Sequence, residues 1–183
     1  MLRRSRKHTI NVDLDLTMFK FGFIIISMFA SLAFGEPIDK FVIWDKDRTP
    51  PPLNVTTLSG EKVSLTDFSN QTVVLNFWAT WCAPCLKEIP SLLELRRQLP
   101  KQEFAVLFVN YGETKDRVES IWTKIGGGAT TLIDPELKDV KVWIDVGLPT
   151  TIILNQEHQI IYKIVGDIDW AEAEIVDLIK KIR

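Results

Sequence analysis

Two cysteines, Cys82 and Cys85, are the only thiols in the 183 residues, and they stand three positions apart. No other thiol exists to make a structural disulfide or to complete a four-cysteine metal site. A pair at this spacing can exchange disulfides if one sulfur is held as the thiolate, which is the attacking species. The flanking residues place the pair where a strand hands over to a helix. Residues 72–77 (Thr-Val-Val-Leu-Asn-Phe) are a nearly continuous apolar run of strand length, as in a central strand buried on both faces. Residues 83–99 carry Leu86, Ile89, Leu92 and Leu93 at helical spacing, with a kink predicted at Pro90. Cys82 then falls at the helix N-terminus, where unpaired N–H groups and the helix dipole stabilise a thiolate. Cys85 falls one turn in, partly covered, close enough to attack a mixed disulfide and release the product. Pro84 suits the first turn, where its missing N–H costs nothing.

Other uses of the pair are weaker. A structural bridge closing so small a loop constrains little of the unfolded chain. A zinc site needs two more ligands, and the only histidine beyond the first 35 residues, His158, lies in a polar turn.

The elements around the pair predict an α/β fold. Short strands at 53–58 and 62–65 flank a Ser59-Gly60 turn, and a second buried strand covers 104–110. An amphipathic helix at 114–125 presents Val118, Ile121, Trp122 and Ile125 on one face and closes on Gly126-Gly127-Gly128. A strand at 130–133 and a short helix near 135–142 follow, then strands at 151–154 and 159–165 and a last helix at 170–182. Strand–helix alternation implies a parallel pair, and the terminal hairpin implies antiparallel ones, so the sheet is mixed and flanked by helices.

The first 35 residues read as an export signal. Arg3, Arg4, Arg6, Lys7 and Lys20 precede an uncharged apolar run over 21–34, and Ala33-Phe34-Gly35 offers small residues for cleavage after Gly35, with Ser31-Leu32-Ala33 as the alternative. The run is shorter than the roughly 20 residues of a spanning helix; a retained membrane anchor is the second reading. Asp13 and Asp15 are unusual in such a segment, and Met18-Phe19-Lys20 is the more ordinary start, so residues 1–17 read as a gene-model extension. No cysteine follows the run, which excludes lipoprotein anchoring. Residues 36–52 form an extended lead-in ending in Pro50-Pro51-Pro52, and 53–183 the domain proper. Residues 36–183 hold 17 Lys/Arg and 22 Asp/Glu, a net charge of −5, which excludes a global basic field for nucleic acid. An exported protein lives where disulfides persist.

Phe77-Trp78-Ala79-Thr80-Trp81-Cys82-Ala83-Pro84-Cys85, followed by Glu88 and Pro90, resembles the TlpA/ResA-like branch of the thioredoxin superfamily, and Leu148-Pro149-Thr150-Thr151 resembles its cis-proline segment. The resemblance runs from about residue 51 to the C-terminus. It implies a thioredoxin-like fold with an N-terminal β extension and an exported thiol–disulfide oxidoreductase, usually a reductase. It makes Cys82 the nucleophile, Cys85 the resolving thiol, Cys82–Cys85 the redox-active disulfide, and Pro149 a cis-proline facing the pair. Leu148 would then offer its backbone to an extended substrate. The matching glutamate of this branch helps handle protons, so Glu88 is either a buried acid that takes the Cys85 proton or a surface charge at the helix N-terminus. Asn76 stands where thioredoxin has a buried aspartate, which argues against a general cytosolic thioredoxin. Trp81 and Pro84 belong to the docking surface and Trp78 to the core; Trp44, Trp122, Trp143 and Trp170 are packing or surface aromatics without an assigned role. The segment 142–147 before Leu148 departs from the small, often tyrosine-containing lead-in of the family, which bears on substrate preference.

The resulting expectation is a periplasmic or otherwise extracytoplasmic reductase without a cofactor. It would act on disulfide-containing client proteins, in cytochrome c or copper-site assembly, and be resupplied by a membrane thiol carrier. Thr150 favours the general TlpA/ResA type over the cytochrome-maturation branch, which often has an acidic residue there. An oxidant is the alternative within enzymes, since the reduction potential sets direction, though Ala83-Pro84 lacks the histidine common in strong oxidants. A Cu(I)-binding module using both thiolates is the alternative outside enzymes; Met1, Met18 and Met28 all precede residue 36, so no methionine is left to help it.

Overall fold

Strand β4 (Thr72–Trp78) is buried at every position: it lies between β5 (Phe104–Asn110), with which it pairs in parallel, and β7 (Thr150–Leu154), with which it pairs antiparallel, and packed layers cover both of its faces. A strand covered on both faces needs apolar side chains on both, which is why its sequence does not alternate. Around it an eight-stranded mixed sheet is built from β1 (Val42–Ile43), β2 (Asn54–Thr57), β3 (Lys62–Ser64), β6 (Thr131–Ile133) and β8 (Ile160–Val165), in the spatial order β1-β8-β7-β4-β5-β6-β2-β3. The computed structural model describes residues 40–43, 47 and 49–182, within a compact unit of Glu36–Arg183. The segment read as an export signal, the cleavage and start positions expected within it, and Trp44 lie outside the described residues.

Among the described residues four α-helices accompany the sheet: α1 (Ala83–Gln98), α2 (Lys115–Lys124), α3 (Val140–Trp143) and α4 (Ala173–Lys180). The alternation of side chains along β4 feeds two cores. Val74 and Trp78 pack with Ile89, Leu92 and Leu95 of α1, Trp122 of α2, and Ile175 and Ile179 of α4. Val73, Leu75 and Phe77 pack on the opposite face with Leu53, Val140 and Trp143. Asn76, also fully buried, shares the parity of Val74 and Trp78 and so faces α1.

Four boundaries depart from the pattern in the sequence, each for a local reason. Two residues of the lead-in, Val42 and Ile43, pair with Lys163 and Tyr162 as an edge strand. Leu65 opens a 3-10 helix (Leu65–Phe68) instead of ending β3, because the Asp67 carboxylate accepts the Ser64 N–H at 2.8 Å and turns the chain. The short helix near 135–142 is confined to α3, since Asp134 Oδ2 accepts the N–H groups of Asp139 and Val140 at 2.9 and 3.0 Å and holds 135–139 as a turn. The last helix starts at Ala173 and not Trp170, whose N–H goes to Ser91 Oγ at 3.1 Å. Helix α1 continues past Pro90 to Gln98.

The glycine run after α2 is a packing device as much as a stop. Trp122 lies against Trp78 and Phe108 with ring centroids 5.0 Å away in each case, and its indole N–H reaches Ala129 O at 2.7 Å. A Cβ on Gly127 would sit 2.4 Å from that indole, whereas one on Gly128 would meet nothing closer than 3.9 Å. Gly127→Ala therefore lowers unfolding free energy by about 2 kcal/mol through overpacking. Gly128→Ala stays within about 0.5 kcal/mol of the parent; urea titration of both variants measures the contrast.

Candidate active site

Where β4 ends, the chain turns through residues 79–81 and α1 begins with Cys82 as its N-cap. Cys82 and Cys85 are joined by a disulfide, with an S–S distance of 2.03 Å and Cα atoms 5.3 Å apart. The Cys85 N–H points at Cys82 Sγ at 3.3 Å, so the first turn of the helix already aims a donor at the sulfur that would carry negative charge after reduction. Cys85 is fully buried, while Cys82 keeps 5 % of its surface. Ala83 and Pro84 beside it are exposed, as is Trp81 at 64 %; Trp78 is fully buried.

One turn behind Cys85, on the same helical face, Glu88 is almost wholly out of water, with 2 % of its surface exposed. Asn76 Nδ2 donates to its Oε1 at 2.8 Å and Trp170 Nε1 to its Oε2 at 3.0 Å. Burial pushes the carboxyl up to about 7. The bonds from Trp170, Asn76 and the Ile168 backbone act against this rise, and the nearby Asp167 carboxylate adds to it. The surface-charge alternative for Glu88 is thereby removed. Trp170, which the sequence left without a role, is a fully buried partner of this carboxyl. Nothing in its spacing marked it, because it reaches Glu88 across 82 positions of chain.

A second carboxylate, missed in the sequence, fastens the turn before Cys82. Glu113 Oε2 accepts the Thr80 N–H at 2.6 Å and the Asn110 side-chain amide at 2.9 Å, while its Oε1 accepts the Thr80 hydroxyl at 2.5 Å. Arg117 Nε closes the cluster on Thr80 Oγ1 at 3.0 Å. The signal that could have found it is Asn110-Tyr-Gly-Glu113 leaving the end of β5, next to the end of β4 in the parallel pair Trp78↔Asn110.

Pro149 precedes β7, whose first residue, Thr150, pairs with Phe77 near the end of β4. The register thus brings Pro149 to the sheet end from which the cysteine turn leaves. The Leu148–Pro149 peptide is cis; Pro149 is buried and Leu148 half-buried. Among the described residues no cluster of three or more His, Cys, Asp or Glu is placed to hold a metal ion, and no helix is long and apolar enough to cross a membrane.

A mixed sheet that delivers a dithiol pair to a helix N-cap, with a cis-proline at the same sheet end, defines a thioredoxin-like thiol–disulfide oxidoreductase. The Redoxin family model matches residues 35–179, and the chain belongs to that family. It is similar to thiol-disulfide oxidoreductase ResA of Geobacillus kaustophilus (strain HTA426), 34 % identical over 118 residues that cover 64 % of this chain and 68 % of the relative. ResA of Bacillus thuringiensis (strain Al Hakam) is 28 % identical over 149 residues, covering 79 % and 86 %. Among solved structures, StoA from Bacillus subtilis superposes with a TM-score of 0.61 at 23 % identity, covering 73 % of this chain and 99 % of that one. A DsbF homologue from Corynebacterium diphtheriae gives 0.63 at 27 % identity, covering 81 % and 92 %. The chain is an oxidoreductase that acts on disulfide-containing substrates.

The raised Glu88 makes stability depend on pH. Between 4.5, its ordinary value, and about 7, the folded protein holds a proton that the unfolded chain has released. Stability contributed by the neutral carboxyl is complete below that window and lost as pH rises through it, by about 3 kcal/mol in all. In Glu88→Gln this decline disappears, so the stability of the variant relative to the parent rises from the acid to the alkaline side. Denaturant unfolding of both oxidised proteins across the window checks it.

Proposed function

We propose that this chain is an exported protein-disulfide reductase whose reduced Cys82 attacks a client disulfide. The observation that carries this is the asymmetry of the pair: Cys82 caps the helix with some surface open, and Cys85 is closed off one turn in front of a buried carboxyl. The Cys82 thiolate attacks one client sulfur and displaces the other as a thiolate. Ionised Glu88 then takes the Cys85 proton, and Cys85 attacks Cys82 Sγ. The Cys82–Cys85 bond forms, the second client sulfur leaves as a thiolate, and two electrons have passed to the client. Trp81, Pro84 and Leu148 contact the client segment, with Pro149 beside the pair. The exposed apolar face of Trp81 supports that role. Residues 1–35 direct export, with cleavage after Gly35. A membrane thiol carrier resupplies electrons, and the clients belong to cytochrome c or copper-site assembly; the likeness to thiol-disulfide oxidoreductases named ResA supports the exchange chemistry itself.

Trapping tests the division of labour. Cys85→Ser accumulates mixed disulfides through Cys82, and Cys82→Ser does not; equal trapping by both variants would overturn the assignment. In Glu88→Gln the release of product from a preformed mixed disulfide slows by about 100-fold, in the range of one general-base contribution. Stopped-flow fluorescence follows it, and variant rates equal to the parent's at every pH would return Glu88 to a structural role.

A further inference from the structure

The Glu88 carboxyl is held by groups of unequal chemistry. The indole N–H of Trp170 and the backbone N–H of Ile168 can only donate. An ionised carboxylate is satisfied by donors, but a neutral carboxyl carries an O–H that needs an acceptor. Of the three, only the Asn76 amide has both a donor and an acceptor end.

That amide is half satisfied. Its Nδ2 gives one hydrogen to Glu88 Oε1 at 2.8 Å and the other to Thr151 Oγ1 at 2.9 Å. Its Oδ1, buried without surface, has no hydrogen-bond partner among the described residues. A buried polar atom left alone in this way calls for an explanation. Asn76 and Thr151 are directly opposed across the β4–β7 ladder, so the backbone fixes their separation. A half-turn of the amide about its last side-chain bond exchanges nitrogen and oxygen without moving either strand. Oδ1 then faces the carboxyl at hydrogen-bond distance and accepts its O–H. The Thr151 hydroxyl, donor and acceptor by nature, rotates to donate to the same oxygen.

We propose that Asn76 is a positioning residue that follows the proton on Glu88, donating to the ionised carboxyl and, after a half-turn coupled to the Thr151 hydroxyl, accepting from the neutral one. The proposal rests on the reading of Glu88 as the proton partner of Cys85 and adds how one rigid pocket holds both states of that partner. An amide serves where a second carboxylate would not: two carboxyls at this distance compete for one proton and push one titration up. The other charged groups near the pocket are accounted for. Asp167, from the segment between β8 and α4, is engaged by Lys87 Nζ of α1 at 2.7 Å, and its carbonyl by Lys40 Nζ at 2.6 Å. Neither cysteine titrates while the disulfide stands.

NMR on the oxidised full chain tests this. The carboxyl carbon of Glu88 gives the titration midpoint, and the contact between the Asn76 Nδ2 protons and the Thr151 methyl group reports which way the amide points. The contact is expected above the midpoint, lost below it, and independent of pH in Glu88→Gln. A contact that persists unchanged while Glu88 titrates overturns the proposal. Both readouts concern the resting protein. If the amide follows the proton while the resolving step ignores Glu88→Gln, the proton-partner reading fails and this one stands.

Discussion

A carboxyl group buried one helical turn behind a disulfide is the constraint around which this structure is arranged. A bare carboxylate in such a place would be several kcal/mol too costly to keep. The fold meets that difficulty with three elements: Asn76 from the central strand, Trp170 from the segment before α4, and α1 itself, which carries Glu88. Ser91 ties two of these together, donating to Glu88 O at 2.8 Å and accepting the Trp170 N–H. The donors are too few to keep the charged form at its ordinary value, so the group rests close to neutrality at about 7. A carboxyl that titrates near neutral pH is therefore a consequence of incomplete compensation.

The opposite side of the cysteine turn is treated differently. Glu113 is a carboxylate too, but it is saturated by the N–H and hydroxyl of Thr80 and by Asn110. The two acids lie in different surroundings: one holds the backbone that enters the N-cap, the other is buried one turn behind Cys85. Both depend on β4 running between β5 and β7. The parallel register with β5 brings Asn110 level with Trp78, and the antiparallel register with β7 brings Thr151 level with Asn76.

Much of this was legible in the chain. Residues 72–77 announced a strand buried on both faces, and the helical stripe of α1 began where the cysteines stood, so the N-cap position of Cys82 followed from local periodicity alone. The core role of Trp78 and the exposure of Trp81 followed as well, since one ends a buried strand and the other lies in a turn. Apart from the edge pairing of Val42 and Ile43, the departures fell where a side chain ended or delayed an element. Asp67 and Asp134 turn the chain by accepting backbone N–H groups, and hydrophobic spacing carries no trace of such bonds.

The sequence by itself determined the thiol pair, its place at a strand–helix handover and the order of elements, because these depend on spacing over a few residues. Only the tertiary structure decided what Glu88 is. Its position on α1 was equally compatible with solvent and with burial. The answer came from Asn76, 12 positions before it, and Trp170, 82 after it, brought together by the packing of α1 and the pre-α4 segment against β4. Desolvation is a property of everything that surrounds a group, and no local stretch of sequence contains that information.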